Sequence, residues 1–454
     1  MRILHVPLNI ADQPGYIARA QRRLGHEAEV WEFGDNAFGF EKDRRIDIYA
    51  RDPQLIWDAF VDAIPRFDVF HFNFARSFFS YPWPVGRIPP YWDLPVLRSL
   101  GKKVFFTFHG TDCRTRRVLD ENNPWSFFKY SDITVDDDRV EQNVNVIRTY
   151  ANKMFITSPE YTMFVPDAVL QPRTLDLEGW PEQPATQREI PKILHVPSAR
   201  GTKGTSFVVD GLRALEEEGV KFEFSLLEGV PHEVAKRAIS DADIVIDNVL
   251  TGDYEVVSIE SMSCNRVPVA YLQDRAKRAF PDAPVFEVNP ESFVERMRAL
   301  IPDVGLRRDL AARGRSFVAA HHDAPVVAKG LLDVYAAEQP AVQARAYPDW
   351  ASYGGAEALH RLEQQLARSE AQRLRAIERA QDFAARLGVP AGSFGPDPMR
   401  AAAGARIAQR MPGPLRRARG RLEHWVRSSP KRAARARSIV ARTRRFKAKL
   451  RRRI

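Results

Sequence analysis

Gly252-Asp-Tyr-Glu-Val-Val-Ser-Ile-Glu-Ser-Met-Ser-Cys-Asn-Arg-Val-Pro-Val-Ala-Tyr271 follows one apolar run, Asp243-Ile-Val-Ile-Asp-Asn-Val249, and ends in another, Val267-Pro-Val-Ala-Tyr-Leu272. Both runs read as buried strands, with a polar loop and a short helix between them. Acids crowd the loop and the helix start, where carboxylates complement the helix dipole and free N–H groups can hold an anion. Glu260 lies on that helix beside apolar Val257 and Ile259. Two readings account for it. It either takes the paired hydroxyls of a ligand such as a ribose, or it is a first-turn acid paired with a nearby arginine.

Working outward, strands and helices alternate. Strands at 2–6, 28–33, 67–72 and 103–108 are separated by helices at 16–24, 53–64 and 94–100, the first closed by Gly25. Gly179, Pro181, Pro184 and Pro191 mark residues 176–191 as a linker. Beyond it come strands at 192–196 and 222–227 and helices at 206–218 and 233–239. This α/β alternation implies parallel sheets covered on both faces, with ligands beyond the carboxyl ends of the strands.

Three loops lie at such ends. Pro7 to Gly15 and His109-Gly-Thr-Asp-Cys-Arg114 belong to the first set, and Pro197 to Thr205 to the second. In the last, Arg200 and Lys203 are cationic donors, Gly201 and Gly204 keep the backbone open, and a helix N-terminus follows. That is the chemistry of a phosphate site. It has neither P-loop nor dinucleotide-fingerprint spacing. His109 is either hydrogen-bonded within its loop or a polar group at a cleft mouth. Asp112 and Arg114 read as an exposed ion pair. Asp136-Asp-Asp138 reads as solvated, since three consecutive side chains do not converge on one ion, and no metal-ligand cluster stands out. Phe78, Phe79, Tyr81, Trp83, Tyr91 and Trp92 can stack on a sugar, but core packing is the stronger expectation.

The 454 residues suggest two domains with extra material, and 44% hydrophobic residues suffice for buried cores. Two cysteines, Cys113 and Cys264, exclude a disulfide framework and fit a reducing compartment. The start lacks a signal-peptide pattern, and no apolar run is long enough to span a membrane. The formal charge of +10 is uneven. Residues 400–454 hold twenty Lys and Arg against one acid, Glu423, and subtracting that +19 leaves the rest at −9. A basic segment with scattered Leu, Trp and Phe can lie on an anionic membrane, bind nucleic acid, or remain solvated. Leu359, Leu362 and Leu366 sit in a helix-forming stretch that can support a coiled coil.

Several motifs together resemble the GT-B glycosyltransferases, most closely the retaining family 4 enzymes. They are the turn around Gly15, Gly25-His26-Glu27, His109-Gly-Thr-Asp112, Leu170-Gln-Pro-Arg-Thr-Leu-Asp176, His195-Val-Pro-Ser198 with Lys203-Gly204, and Val257-Ser-Ile-Glu-Ser-Met262. The resemblance spans roughly residues 1–340 and implies two Rossmann-like parallel-sheet domains facing a cleft, followed by a basic α-helical extension. The expected layout is an acceptor domain at 1–177, a linker at 178–191, a nucleotide-sugar domain at 192–322 and a closing helix at 323–340. A helical extension at 341–399, able to oligomerise through 356–387, and a basic tail at 400–454 complete it.

By this resemblance Arg200, Lys203 and Gly204 meet the donor diphosphate, Glu260 binds the ribose and Gly15 lets its loop approach the phosphate. His109 and Asp253 lie near the transferred sugar. The family often carries an acid eight positions before its ribose glutamate; here that position is Gly252, with Asp253 beside it. The expected activity is transfer of a sugar from a nucleotide diphosphate to an envelope, lipid-linked or polysaccharide acceptor, with retention. It uses no metal and no cofactor beyond the co-substrate. The expected location is cytoplasmic, with 400–454 on the inner membrane face. Two alternatives are a GT-B protein of other chemistry, such as an epimerase or polyol-phosphate transferase, and a non-catalytic binding protein with a membrane- or nucleic-acid-binding tail.

Overall fold

The computed structural model describes residues 1–34, 39–50, 52–80, 90–185 and 188–340. The segments at 341–399 and 400–454, and with them Tyr81 and Trp83, lie outside the described residues.

The first sheet comprises β1 (Arg2–Val6), β2 (Glu27–Phe33), β3 (Arg44–Ile46), β4 (Val69–Asn73), β5 (Lys103–Phe108), β6 (Lys153–Ile156) and β7 (Val169–Leu170). Their order is β3-β2-β1-β4-β5-β6-β7, and every neighbour pair is parallel. Five helices, α1 (Gln13–Arg23), α2 (Pro53–Arg66), α3 (Asp93–Ser99), α4 (Arg116–Asn122) and α5 (Asp137–Tyr150), connect these strands. The second sheet comprises β8 (Lys192–His195), β9 (Glu223–Leu226), β10 (Ile244–Ile246), β11 (Val267–Ala270) and β12 (Phe286–Glu287), in the parallel order β12-β11-β10-β8-β9. Its helices are α6 (Arg200–Lys203), α7 (Thr205–Glu217), α8 (His232–Asp241), α9 (Val256–Ser263), α10 (Asp274–Ala279), α11 (Phe293–Leu300) and α12 (Val304–His321), with α13 (Ala324–Ala337) last.

Central strands of a parallel sheet are covered on both faces and so read as continuous apolar runs. Val69, Phe70 and Phe72 of β4 and Val104, Phe105 and Phe106 of β5 are accordingly almost fully buried. Two elements cross between the sheets. Ala324, Ala328, Leu331, Leu332 and Tyr335 of α13 pack on Ile3, Val69 and Phe105 of the first sheet. Leu119, Phe127 and Phe128, placed in the chain between β5 and β6, pack instead with Ile193, Val208, Leu212 and Ile244 around the second sheet.

Several sequence expectations change locally. The basic loop at 197–205 contains a turn of helix, α6, and Gly204 breaks it from α7 by adopting φ +71°. Asp112 and Arg114 are not an exposed pair. The Asp112 carboxylate accepts the backbone N–H groups of His109 and Gly110, while Arg114 donates to buried Glu160 at 2.7 Å. The Asp136–Asp138 triplet lies at the surface as expected, and two of its acids also cap helices. Asp136 accepts Arg139 N at the start of α5, and Asp137 accepts Arg116 N and Arg117 N at the start of α4. The aromatic expectation holds: Phe78, Phe79, Tyr91 and Trp92 are buried in the core, Phe78 lying 5.3 Å from Phe60 and Phe79 4.7 Å from Trp57 between ring centroids.

Gly201 marks the closest approach of α6 to the first-sheet segment. A Cβ there would lie 2.6 Å from Tyr130 O and 2.9 Å from Ser131 Cα. Both obstacles are backbone and cannot rotate away. Gly201→Ala is expected to cost roughly 1–3 kcal/mol in denaturant unfolding. Gly330→Ala, in α13 with nothing within 4 Å of the added carbon, is expected to be neutral or stabilising by about 0.4–1 kcal/mol.

Candidate functional site

The carboxyl ends of β8, β9 and β10 deliver three loops to one side of the second sheet, and the polar side chains gather there. Lys203, at the end of α6, is 6% exposed, and its Nζ lies 2.7 Å from Asp247 Oδ1. The same ammonium donates to Glu255. Asp247 immediately follows β10. Its other oxygen accepts Glu255 N at 2.8 Å, Ser258 N at 3.2 Å and Ser258 Oγ at 2.8 Å. Two N–H groups at the start of α9 are thus met by a side chain at the end of β10. Burial alone would lower the Lys203 pKa, but Asp247 and Glu255 outweigh it and raise it. Burial likewise opposes ionisation of Glu255, yet Lys203, Arg173 and Arg114 hold its carboxyl down at about 2.

Glu260 is buried, and Nε2 of His232, the first residue of α8, lies 2.7 Å from its Oε1. Its partner is therefore a histidine and not the arginine that one sequence reading supposed. The rings of Trp180 and Phe40 stand edge-on to His232 at 6.1 and 6.4 Å. Arg200 points elsewhere: it meets Glu228 in the loop after β9 at 2.5 Å, with its side chain 59% exposed. Lys203 is thus paired with Asp247, which also holds the start of the helix that carries Glu260, whereas Arg200 stands at the rim. Gly204 supplies the bend between α6 and α7, and a Cβ on it would lie 2.4 Å from Val249 Cγ2.

The first sheet contributes the opposing groups. His109 follows β5 directly; its Nε2 lies 3.0 Å from Asn73 Oδ1 and its carbonyl accepts Tyr161 Oη. Burial, aided by Arg173, lowers the imidazole to about 3, so it is neutral at physiological pH. Gly15 sits at the start of α1, and the space above it is taken by Asp12, whose Oδ1 lies 2.0 Å from where a Cβ would be. Asp12 is itself held by Arg19 at 2.6 Å and Asn9 at 2.9 Å. Tyr16 follows, packed against the cores of both sheets; burial, then Asp12 and Glu260, raise its hydroxyl pKa.

Asp253 has a position of its own. It is 2% exposed and accepts Arg173 Nη1 at 2.8 Å and Ser158 Oγ at 2.6 Å, while Arg173 also donates to Tyr254 O. This buried pair ties the segment after β7 to the loop after β10 and leaves Asp253 Oδ2 engaged with the first sheet. Gly252 has φ +84°, and a Cβ there would lie 2.6 Å from Gln273 Cγ. No acid fits at 252 without moving Gln273. Among the described residues no group of three or more His, Cys, Asp or Glu could hold a metal ion, and no helix is long and apolar enough to cross a membrane.

Sequence reading missed Asp247, Glu255, His232, Arg173 and Asp12. Asp247 had a signal, as a charged residue closing an apolar strand. His232 had none, because it meets Glu260 only across two elements.

Arg173→Ala would leave Asp253 buried without its cation, and a loss of about 3–5 kcal/mol in urea unfolding is expected. The double variant Arg173→Met/Asp253→Leu should recover most of it. The Glu260 hydrogen bond raises the His232 pKa above the ordinary 6.5 despite partial burial. A raised folded-state pKa means that stabilisation is full below about 6.5 and fades as pH rises through the folded value. In NMR titration His232 should therefore titrate above 6.5, and Glu260→Gln should bring its midpoint down.

No protein-family model matches this chain, and no curated protein sequence matches it. Solved structures do. Sucrose-phosphate synthase from Thermosynechococcus elongatus aligns over 74% of this chain and 98% of its own, at 13% identity and TM-score 0.52. Anabaena Alr3699/HepE, solved in complex with UDP, aligns over 74% of this chain and 100% of its own, at 12% identity and TM-score 0.50. At these identities the likeness is one of fold: this chain has the GT-B architecture of two Rossmann-like parallel-sheet domains.

Proposed function

We propose that this protein is a glycosyltransferase that moves a sugar from a nucleotide diphosphate to an acceptor alcohol. The observation that carries the reading is that Asp247 holds both Lys203 and the start of α9, the helix that bears Glu260, at neighbouring strand ends of a GT-B fold. In the proposed complex Lys203 meets the diphosphate and Glu260 accepts the ribose hydroxyls. Charge that builds on the leaving diphosphate is stabilised by a preorganised cation, so the reading requires no metal. His109, held neutral and oriented by Asn73, faces the transferred sugar as a hydrogen-bonding group. Arg200 can swing from Glu228 to the phosphates, since that pair is exposed.

The finer parts of the proposal rest on the motif resemblance. They are membership of the retaining family 4 group, front-face transfer without a protein nucleophile, and an envelope, lipid-linked or polysaccharide acceptor. The +19 charge of residues 400–454 supports a peripheral position on an anionic membrane face. One observation favours a second reading, a GT-B binding protein without transfer: Asp253, the acid nearest the expected sugar position, is committed to Arg173.

Nucleotide release from a panel of nucleotide-diphosphate sugars, with UDP-sugars first, tests the reading. Release is expected with at least one donor. Lys203→Ala and Glu260→Ala should each lower it by about 10²-fold or more. Binding of nucleotide without release would favour the second reading, and release unaffected by either substitution would overturn the assignment of these residues.

A further inference from the structure

The cation at the centre of this site is not free. Lys203 Nζ is shared by Asp247 and Glu255. Four acids, Glu160, Asp247, Asp253 and Glu255, face three cations, Arg114, Arg173 and Lys203, through the pairs already described. Fully ionised, the cluster carries one more negative than positive charge. A diphosphate added to it unchanged would meet net repulsion in a poorly solvated place.

The two carboxylates on Lys203 are held very differently. Asp247 has no exposed side-chain surface and is fixed by Lys203, two backbone N–H groups and the Ser258 hydroxyl. It cannot leave without uncapping α9. Glu255 keeps 21% of its side chain exposed, and Lys203 is its side-chain hydrogen-bond partner among the described residues. It precedes α9, three residues after Gly252 with its φ of +84°. Its side chain can rotate toward solvent while its backbone N–H stays on Asp247.

We propose that Glu255 is an internal stand-in for phosphate, seated on Lys203, which a ligand must displace before it can bind. This deepens the nucleotide-sugar reading and rests on it for the identity of the ligand. The consequence is selectivity by charge. A diphosphate brings enough negative charge to compete for the ammonium, whereas a monophosphate with a single phosphate group competes poorly. Apparent affinity falls by the fraction of molecules in which Lys203 is open, and removal of the Glu255 charge removes that penalty.

The test uses the full-length protein and calorimetric titration with UDP, UMP and inorganic pyrophosphate, on the wild type, Glu255→Gln and Glu255→Ala. Thermal melting confirms that each variant is folded, and the alanine variant serves if the glutamine one is not. Both variants should bind UDP and pyrophosphate at least about tenfold more tightly than the wild type, with a smaller gain for UMP. Equal or weaker pyrophosphate binding in the folded variants overturns the proposal, whatever UDP does. A gain for pyrophosphate with no UDP binding in any form would sustain the role of Glu255 while removing the nucleotide reading.

Discussion

Asp247 is the constraint on which the second half of the molecule is built. A carboxylate with no exposed side-chain surface at the end of an apolar strand is costly unless its lone pairs are filled. Here they are filled by the ammonium of Lys203, two N–H groups at the start of α9 and the Ser258 hydroxyl. One side chain therefore sets the reach of α6, the start of α9 and, through α9, the place of Glu260. Neutralising or removing it would leave a buried ammonium with one movable partner and a helix start without an acceptor.

Buried charge also joins the two sheets, through Arg173 with Asp253, while Arg114 with Glu160 ties two loops of the first sheet together; both pairs lie out of water, where an ion pair contributes little net stability yet is costly to break. Such pairs define one geometry among many of similar hydrophobic content. Apolar packing supplies the bulk of the cohesion: Phe127 and Phe128 enter the core of the second sheet, and α13 returns to cover the first. His109, the start of α1 with Gly15 and the helix that carries Glu260 all follow the carboxyl ends of parallel strands, the loop-bearing edges of both sheets. On this edge Lys203 is committed twice, and the glycine turn at Gly15 is likewise occupied by the chain's own Asp12.

Much of the architecture was legible from pattern. Runs such as Lys103-Val-Phe-Phe-Thr-Phe108 and Lys192-Ile-Leu-His-Val196 have the apolar continuity of central parallel strands, and Gly25 and Gly204 take the positive φ that breaks a helix. These features are local: they follow from burial on both faces of a strand and from backbone sterics, which neighbouring residues express directly. Lys203 and Glu260 were legible as a cation and a carboxylate at strand ends for the same reason.

What those side chains touch was not legible. The sequence by itself determined two parallel α/β halves, a polar edge at their strand ends and a basic C-terminal segment. Only the tertiary structure decided that Glu260 meets His232, that Asp253 joins Arg173, that Asp112 and Arg114 turn inward, and that Lys203 is already held by Asp247 and Glu255. Partners on separate elements meet through the packing of whole helices and sheets. Which acid claims which cation is then settled by burial and distance, quantities that no spacing along a single chain encodes.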